Sequence, residues 1–101
     1  MLSVLIVEGY PDLRKAIVAT LGRAHYRCVE VATAEDAIRK LQSGRYSAIV
    51  LDPRADVGSD PVMLYLRANQ PEQVHNVVIL GDEGLPKPFN SADLVARMPV
   101  R

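Results

Sequence analysis

Ser47-Ala48-Ile49-Val50-Leu51-Asp52 is an apolar run closed by a carboxylate. Four consecutive apolar residues between polar ones suit a strand buried on both faces, the kind that builds parallel sheets. Such a strand emerges at the edge of its sheet with Asp52 exposed, a position that suits a nucleophile. Toward the N-terminus, Met1-Leu2-Ser3-Val4-Leu5-Ile6-Val7 is a second run, and it ends at Glu8. Toward the C-terminus, Val77-Val78-Ile79-Leu80 is a third, and Lys87 stands before Pro88-Phe89. Open α/β sheets bind ligands outside the carboxyl ends of their strands. Two acids and an amine are therefore expected to converge on one edge.

Helical patterns separate these runs. After the turn residues Gly9-Tyr10-Pro11-Asp12, the residues Leu13, Ala16, Ile17, Thr20, Leu21 and Ala24 repeat with a helical period, while Arg14, Lys15 and Arg23 fall outside the stripe. Gly22 marks its approaching end. Arg27 to Ala32 reads as a short strand, and Thr33 as the N-cap of a helix with Glu35 and Asp36 in its first turn. That helix turns Ala34, Ala37, Ile38 and Leu41 inward and stops at Ser43-Gly44. Ser59-Asp60-Pro61 begins a third helix through about Ala68, ended before Pro71. A loop over 81–86 and a short helix capped by Asn90 or Ser91, with Leu94, Val95 and Met98 inward, complete the chain. Alternating strands and helices predict a parallel sheet covered on both faces.

The 101 residues make one domain, 1–101, short for an enzyme with a deep cleft. Twelve basic and twelve acidic side chains balance, with no like-charge block to suggest nucleic acid or a membrane surface. The chain opens on a strand-like segment without a basic leader or an apolar stretch of spanning length, so a cytoplasmic location is expected. The single Cys28 is expected to be a buried, reduced thiol. His25 and His75 have no partners at metal-ligand spacing. The tyrosines do not cluster for base stacking, no serine sits in a nucleophile elbow, and no glycine pattern cradles phosphate. Turnover of a small-molecule substrate is not expected of this chain.

Val4-Leu5-Ile6-Val7-Glu8, Glu35-Asp36-Ala37, Tyr46 to Asp52, Val78-Ile79-Leu80 and Lys87-Pro88-Phe89 together resemble the receiver domain of bacterial response regulators, over almost the whole chain. The resemblance implies a flavodoxin-like α/β fold. It implies Asp52 as acceptor of a phosphoryl group from a histidine kinase or phosphotransfer protein, and Lys87 as the group that touches the phosphoryl oxygens. It also implies Mg2+, held here by Asp52, the Arg54 carbonyl and Glu8. Phosphoryl transfer needs its charge balanced by a cation and an amine held in place beforehand.

The departures are equally specific. Gly9 stands where the family has a second acid, so the metal set is thin and binding weak. Gly81 occupies the position of the hydroxyl that senses the phosphoryl group. Asp82 and Glu83 follow it, and unpaired acids beside a phosphoryl group would disfavour it; the lesser alternative is that they serve the metal site. Only five residues separate Gly81 from Lys87, whereas a parallel crossover needs about a dozen. The family's fourth helix and fifth strand are thus expected to be missing, leaving a four-stranded sheet in the order 2-1-3-4. The fourth strand then becomes an edge with unpaired backbone groups, met either by a homodimer through that edge, the favoured reading, or by the final helix. Two functions stay open: a phosphoryl acceptor on Asp52, favoured by Asp52 and Lys87, and a pseudo-receiver acting as a phosphorylation-independent interaction module, favoured by Gly9 and Gly81.

Overall fold

The structure, a computed structural model, describes residues 2–53, 60–81 and 91–99. Its strands are β1 (Ser3–Val7), β2 (Arg27–Val31), β3 (Ala48–Leu51) and β4 (Val77–Ile79), and its helices are α1 (Pro11–Arg23), α2 (Ala34–Ser43), α3 (Pro61–Asn69) and α4 (Ser91–Arg97). All pairings are parallel and the order is β2-β1-β3-β4, as the sequence predicts. No fifth strand occurs among the described residues, and residues 82–90, on which the expected loss of the fourth helix and fifth strand falls, lie outside them.

Period-two alternation splits each strand between two layers. Val4, Ile6, Val50, Val78 and Leu80 point to the side of α1 and α4, where Ile17, Leu21, Leu94 and Met98 meet them. Leu5, Val7, Ile49 and Leu51 point to the side of α2 and α3, against Leu41, Val62, Met63 and Leu66. A strand buried on both faces has no polar side to present, which is why β1 and β3 read as unbroken apolar runs. Burial of each such Leu or Ile contributes about 1.5–3 kcal/mol.

The helix ends follow local chemistry. Pro11 and Pro61 sit in the first turns of α1 and α3, where no backbone donor is needed. Thr33 caps α2 by accepting from the Asp36 N–H at 3.1 Å. Ser91 is the first helical residue of α4 rather than its cap, and Asn90 lies outside the described residues. α1 closes in a Schellman arrangement, with the Tyr26 N–H donating to Leu21 O and the His25 N–H to Gly22 O, both at 3.0 Å. The left-handed position of that motif belongs to His25 (φ 71°) and not to glycine.

One element has no counterpart in the sequence reading. A 3₁₀ turn, Pro71–Asn76, leads into β4. Its Gln73, almost fully buried, donates through Nε2 to Gln70 Oε1 and accepts the Tyr46 N–H at 2.9 Å. Gln70, also buried, passes its own Nε2 donor to Leu41 O at 2.7 Å. This amide chain ties the ends of α2 and α3 to the starts of β3 and β4.

Candidate functional site

Register brings the two acids together. Val7 pairs with Leu51 across β1 and β3, so the next residues, Glu8 and Asp52, leave the sheet side by side at its carboxyl edge. The Asp52 N–H still donates to Val7 O at 3.3 Å, and the Glu8 N–H to Val31 O at 3.1 Å. Both carboxylates are thereby fixed to the last rung of the ladder.

Their environments differ. Asp52 is half-buried and lines an open cleft of about 640 Å³ with Gly9, Thr33, Leu51, Asp60 and Val62. Glu8 is only 4% exposed, and its Oε1 accepts the Tyr10 N–H at 3.0 Å. Arg14 completes this turn, with Nη1 donating to Glu8 O at 2.9 Å and Nε pairing with Glu30 at 3.1 Å. The β1–α1 turn is therefore held at the Glu8 amide, carbonyl and carboxylate together. Asp60 at the α3 side of the cleft is buried, and its side chain accepts the Val62 N–H at 2.9 Å as the N-cap.

Gly81, directly after β4, has φ +96°. This is a backbone state that side-chain-bearing residues rarely adopt, although a β-carbon there would meet nothing within 4 Å. The residue is thus fitted to its conformation. Lys87 and Arg54, assigned to the phosphoryl oxygens and the metal, lie outside the described residues, as do Asp82 and Glu83.

Among the described residues no three His, Cys, Asp or Glu side chains gather as a ready metal cage. The donor set that is described, Asp52 with Glu8 beside it, is still compatible with Mg2+, which takes one or two carboxylates and completes its octahedron with water. Glu8 and Asp52 stand at the strand ends where the sequence puts them, whereas the contacts of Arg14 and the burial of Asp60 have no counterpart in the sequence reading. The available signal was position: Arg14 lies in the first turns of a helix that starts beside the Glu8 strand end.

No protein-family model matches the sequence, and no curated protein matches it. Solved structures do. The receiver domain of the sensor histidine kinase PA1611 from Pseudomonas aeruginosa, which holds a magnesium ion in its active-site cleft, is 28% identical, with a TM-score of 0.79 over 94% of this chain and 92% of that one. A response regulator receiver protein from Sinorhizobium medicae is 24% identical, with a TM-score of 0.79 over 96% and 90%. The chemotaxis response regulator CheY4 of Vibrio cholerae is 24% identical, with a TM-score of 0.76 over 95% and 94%. The strand order, the acids at the carboxyl edge and these likenesses show the receiver fold of response regulators, and they support a short, divergent form of that domain.

Proposed function

We propose that this chain is a receiver-like signalling protein of a two-component phosphorelay in which Asp52 accepts a phosphoryl group. The observation that carries the reading is the placement of Asp52 directly after β3, half-exposed and flanked by Glu8 across the strand pair. The donor is a phosphohistidine of a histidine kinase or phosphotransfer protein. An Asp52 carboxylate oxygen forms the new P–O bond, the P–N bond breaks, and the imidazole leaves with its electron pair and takes up a proton. Lys87 contacts the phosphoryl oxygens in this reading. Mg2+, when bound, supplies further positive charge, with Asp52, Glu8 through water and the Arg54 carbonyl as its holders. The protein is an acceptor and not an enzyme with turnover of its own. Among the described residues no helix is long and apolar enough to cross a membrane, and the phosphorelay reading places the chain in the cytoplasm, with no nucleic-acid partner.

The second reading is a pseudo-receiver that works as a phosphorylation-independent interaction module. Its support is the commitment of Glu8 Oε1 to the Tyr10 N–H, together with Gly9 and the left-handed Gly81. Intact mass after incubation with a small-molecule phosphoryl donor, with and without Mg2+, separates the two, with Asp52→Asn as the control. A Mg2+-dependent adduct absent from the control is the outcome expected of the acceptor. An unlabelled protein, under conditions that label an ordinary receiver, replaces the acceptor by the interaction module.

A further inference from the structure

Glu8 is one methylene longer than an aspartate, and the next residue, Gly9, has the least restrained backbone of any residue. A carboxylate carried on such a turn has freedom that must be removed before the acid can serve a cation beside Asp52. The chain removes it with a hydrogen-bonded ring. The Tyr10 N–H donates to Glu8 Oε1 at 3.0 Å, the Arg14 N–H donates to Tyr10 O at 2.9 Å, and Arg14 Nη1 donates back to Glu8 O at 2.9 Å. The first turn of α1 is thereby tied to the residue that follows β1.

Arg14 is itself fixed from outside the ring. Its side chain is 19% exposed, and Nε pairs at 3.1 Å with Glu30 on β2, the strand beside β1. The Glu8 N–H meets Val31 O, one residue further along that strand. We propose that Arg14 is a positioning residue for the Glu8 carboxylate, with Glu30 holding Arg14 in turn. The guanidinium suits this task because its planar fork presents donors in fixed directions, one spent on the Glu8 carbonyl and one on Glu30. Its charge works against the task, since a positive group near a cation site repels the metal. Geometry and charge therefore predict opposite signs, which makes the role measurable. The metal in this inference rests on the phosphorelay reading, whereas the placement of Glu8 does not.

The test has two readouts on the full chain. Mn2+ probes the Mg2+ site through its effect on water-proton relaxation, and hydrogen exchange of the Tyr10 amide reports the bond to Glu8 Oε1 without any metal. Arg14→Gln is expected to raise the Mn2+ dissociation constant about tenfold, as loss of an outer-shell partner does. It should also speed exchange at Tyr10 while the Leu5 amide in β1 stays protected. Arg14→Lys keeps the charge and offers one donor to the Glu8 carbonyl, so it should fall between wild type and Arg14→Gln, and it replaces the latter if that variant does not fold. In a Glu8→Gln background, Arg14→Gln should cost no further affinity, because it acts only through that carboxylate. Tighter or unchanged Mn2+ binding in Arg14→Gln, an additive loss in the double variant, or Tyr10 exchange as slow as in wild type overturns the proposal. A wild type that binds no Mn2+ takes the metal out of the phosphorelay reading, and the role of Arg14 is then decided by the Tyr10 amide alone.

Discussion

At the amino edge of the sheet the buried polar side chains are spent on one another: Gln73 bonds to Gln70 and to Tyr46, and Gln70 to Leu41. At the carboxyl edge the polar side chains are acids, with half-buried Asp52 lining a cleft and buried Glu8 held beside it. The same parallel sheet thus has one end closed by neutral amides that satisfy one another and another end that concentrates like charges. Neutral amides can be buried at little cost once paired, since each brings both donor and acceptor. Carboxylates cannot satisfy each other when ionised, so they need outside donors, such as the Tyr10 N–H at Glu8 and the Val62 N–H at Asp60. The difference teaches where stability and function can be separated by mutation.

The largest effect is expected at the amino edge. Gln73→Met keeps the volume but leaves the Tyr46 N–H and Gln70 Oε1 without their partner, at a cost of about 2–4 kcal/mol in denaturant unfolding. Phosphoryl labelling of Asp52, measured where the variant is folded, is expected to be unchanged. A loss below about 1 kcal/mol would mean that water replaces the amide there, and the contrast between the edges would weaken.

The next two substitutions exchange glycine and non-glycine at the two left-handed positions, one at each edge. Gly81→Ser, at the carboxyl edge, meets no steric obstacle but must hold φ near +96°, and is expected to lose about 1–2 kcal/mol. The introduced hydroxyl is then bound to a strained backbone, so any gain in phosphoryl sensing comes with lost stability. Unchanged stability would show that the 81 backbone readily leaves this conformation. His25→Gly, at the amino edge, relieves the same strain in the α1 Schellman turn and is expected to gain about 0.5–1 kcal/mol after the added chain entropy of glycine. A rise in melting temperature checks it, and a fall would assign His25 a side-chain role that outweighs the strain.

What could be read from the residues alone follows a physical division. Unbroken runs such as Val4–Val7 and Ala48–Leu51 announce doubly buried strands, and a strand-end acid after each places Glu8 and Asp52 at one edge before any coordinates. Thr33 with Asp36 announces a cap because the bond spans three residues. The Gln70–Gln73 chain was illegible because its partners, Leu41 and Tyr46, lie 29 and 27 residues away. In the sequence Arg14 marks only the polar side of a helix, since its targets Glu8 and Glu30 are set by the packing of α1 on β1 and β2. His25 departed from the glycine rule for helix ends, because the Gly22 nearby occupies an ordinary helical position. Periodicity reports burial; it does not report which distant donor meets which acceptor.

The smallest expected effect lies between the edges, at Cys28. Burial raises the thiol above its ordinary pKa, and the negative charge of Glu30 raises it further. The folded protein therefore holds the Cys28 proton more tightly than the unfolded chain does. Its contribution to stability is complete below the unfolded thiol's value, about 8.5, and is lost as pH rises through the raised folded value. Alkylation of Cys28 at pH 8 should accordingly be slower in the folded protein than in the denatured chain. Glu30→Gln removes the second cause but keeps the first, so it should accelerate alkylation modestly while leaving the folded rate below the denatured one. It also breaks the pair with Arg14, and Arg14→Gln serves as the control for that loss. If Arg14→Gln accelerates alkylation as much as Glu30→Gln does, the thiol is responding to loosening of the β1–α1 turn and not to the charge of Glu30, and the carboxyl edge is then coupled to the interior of β2.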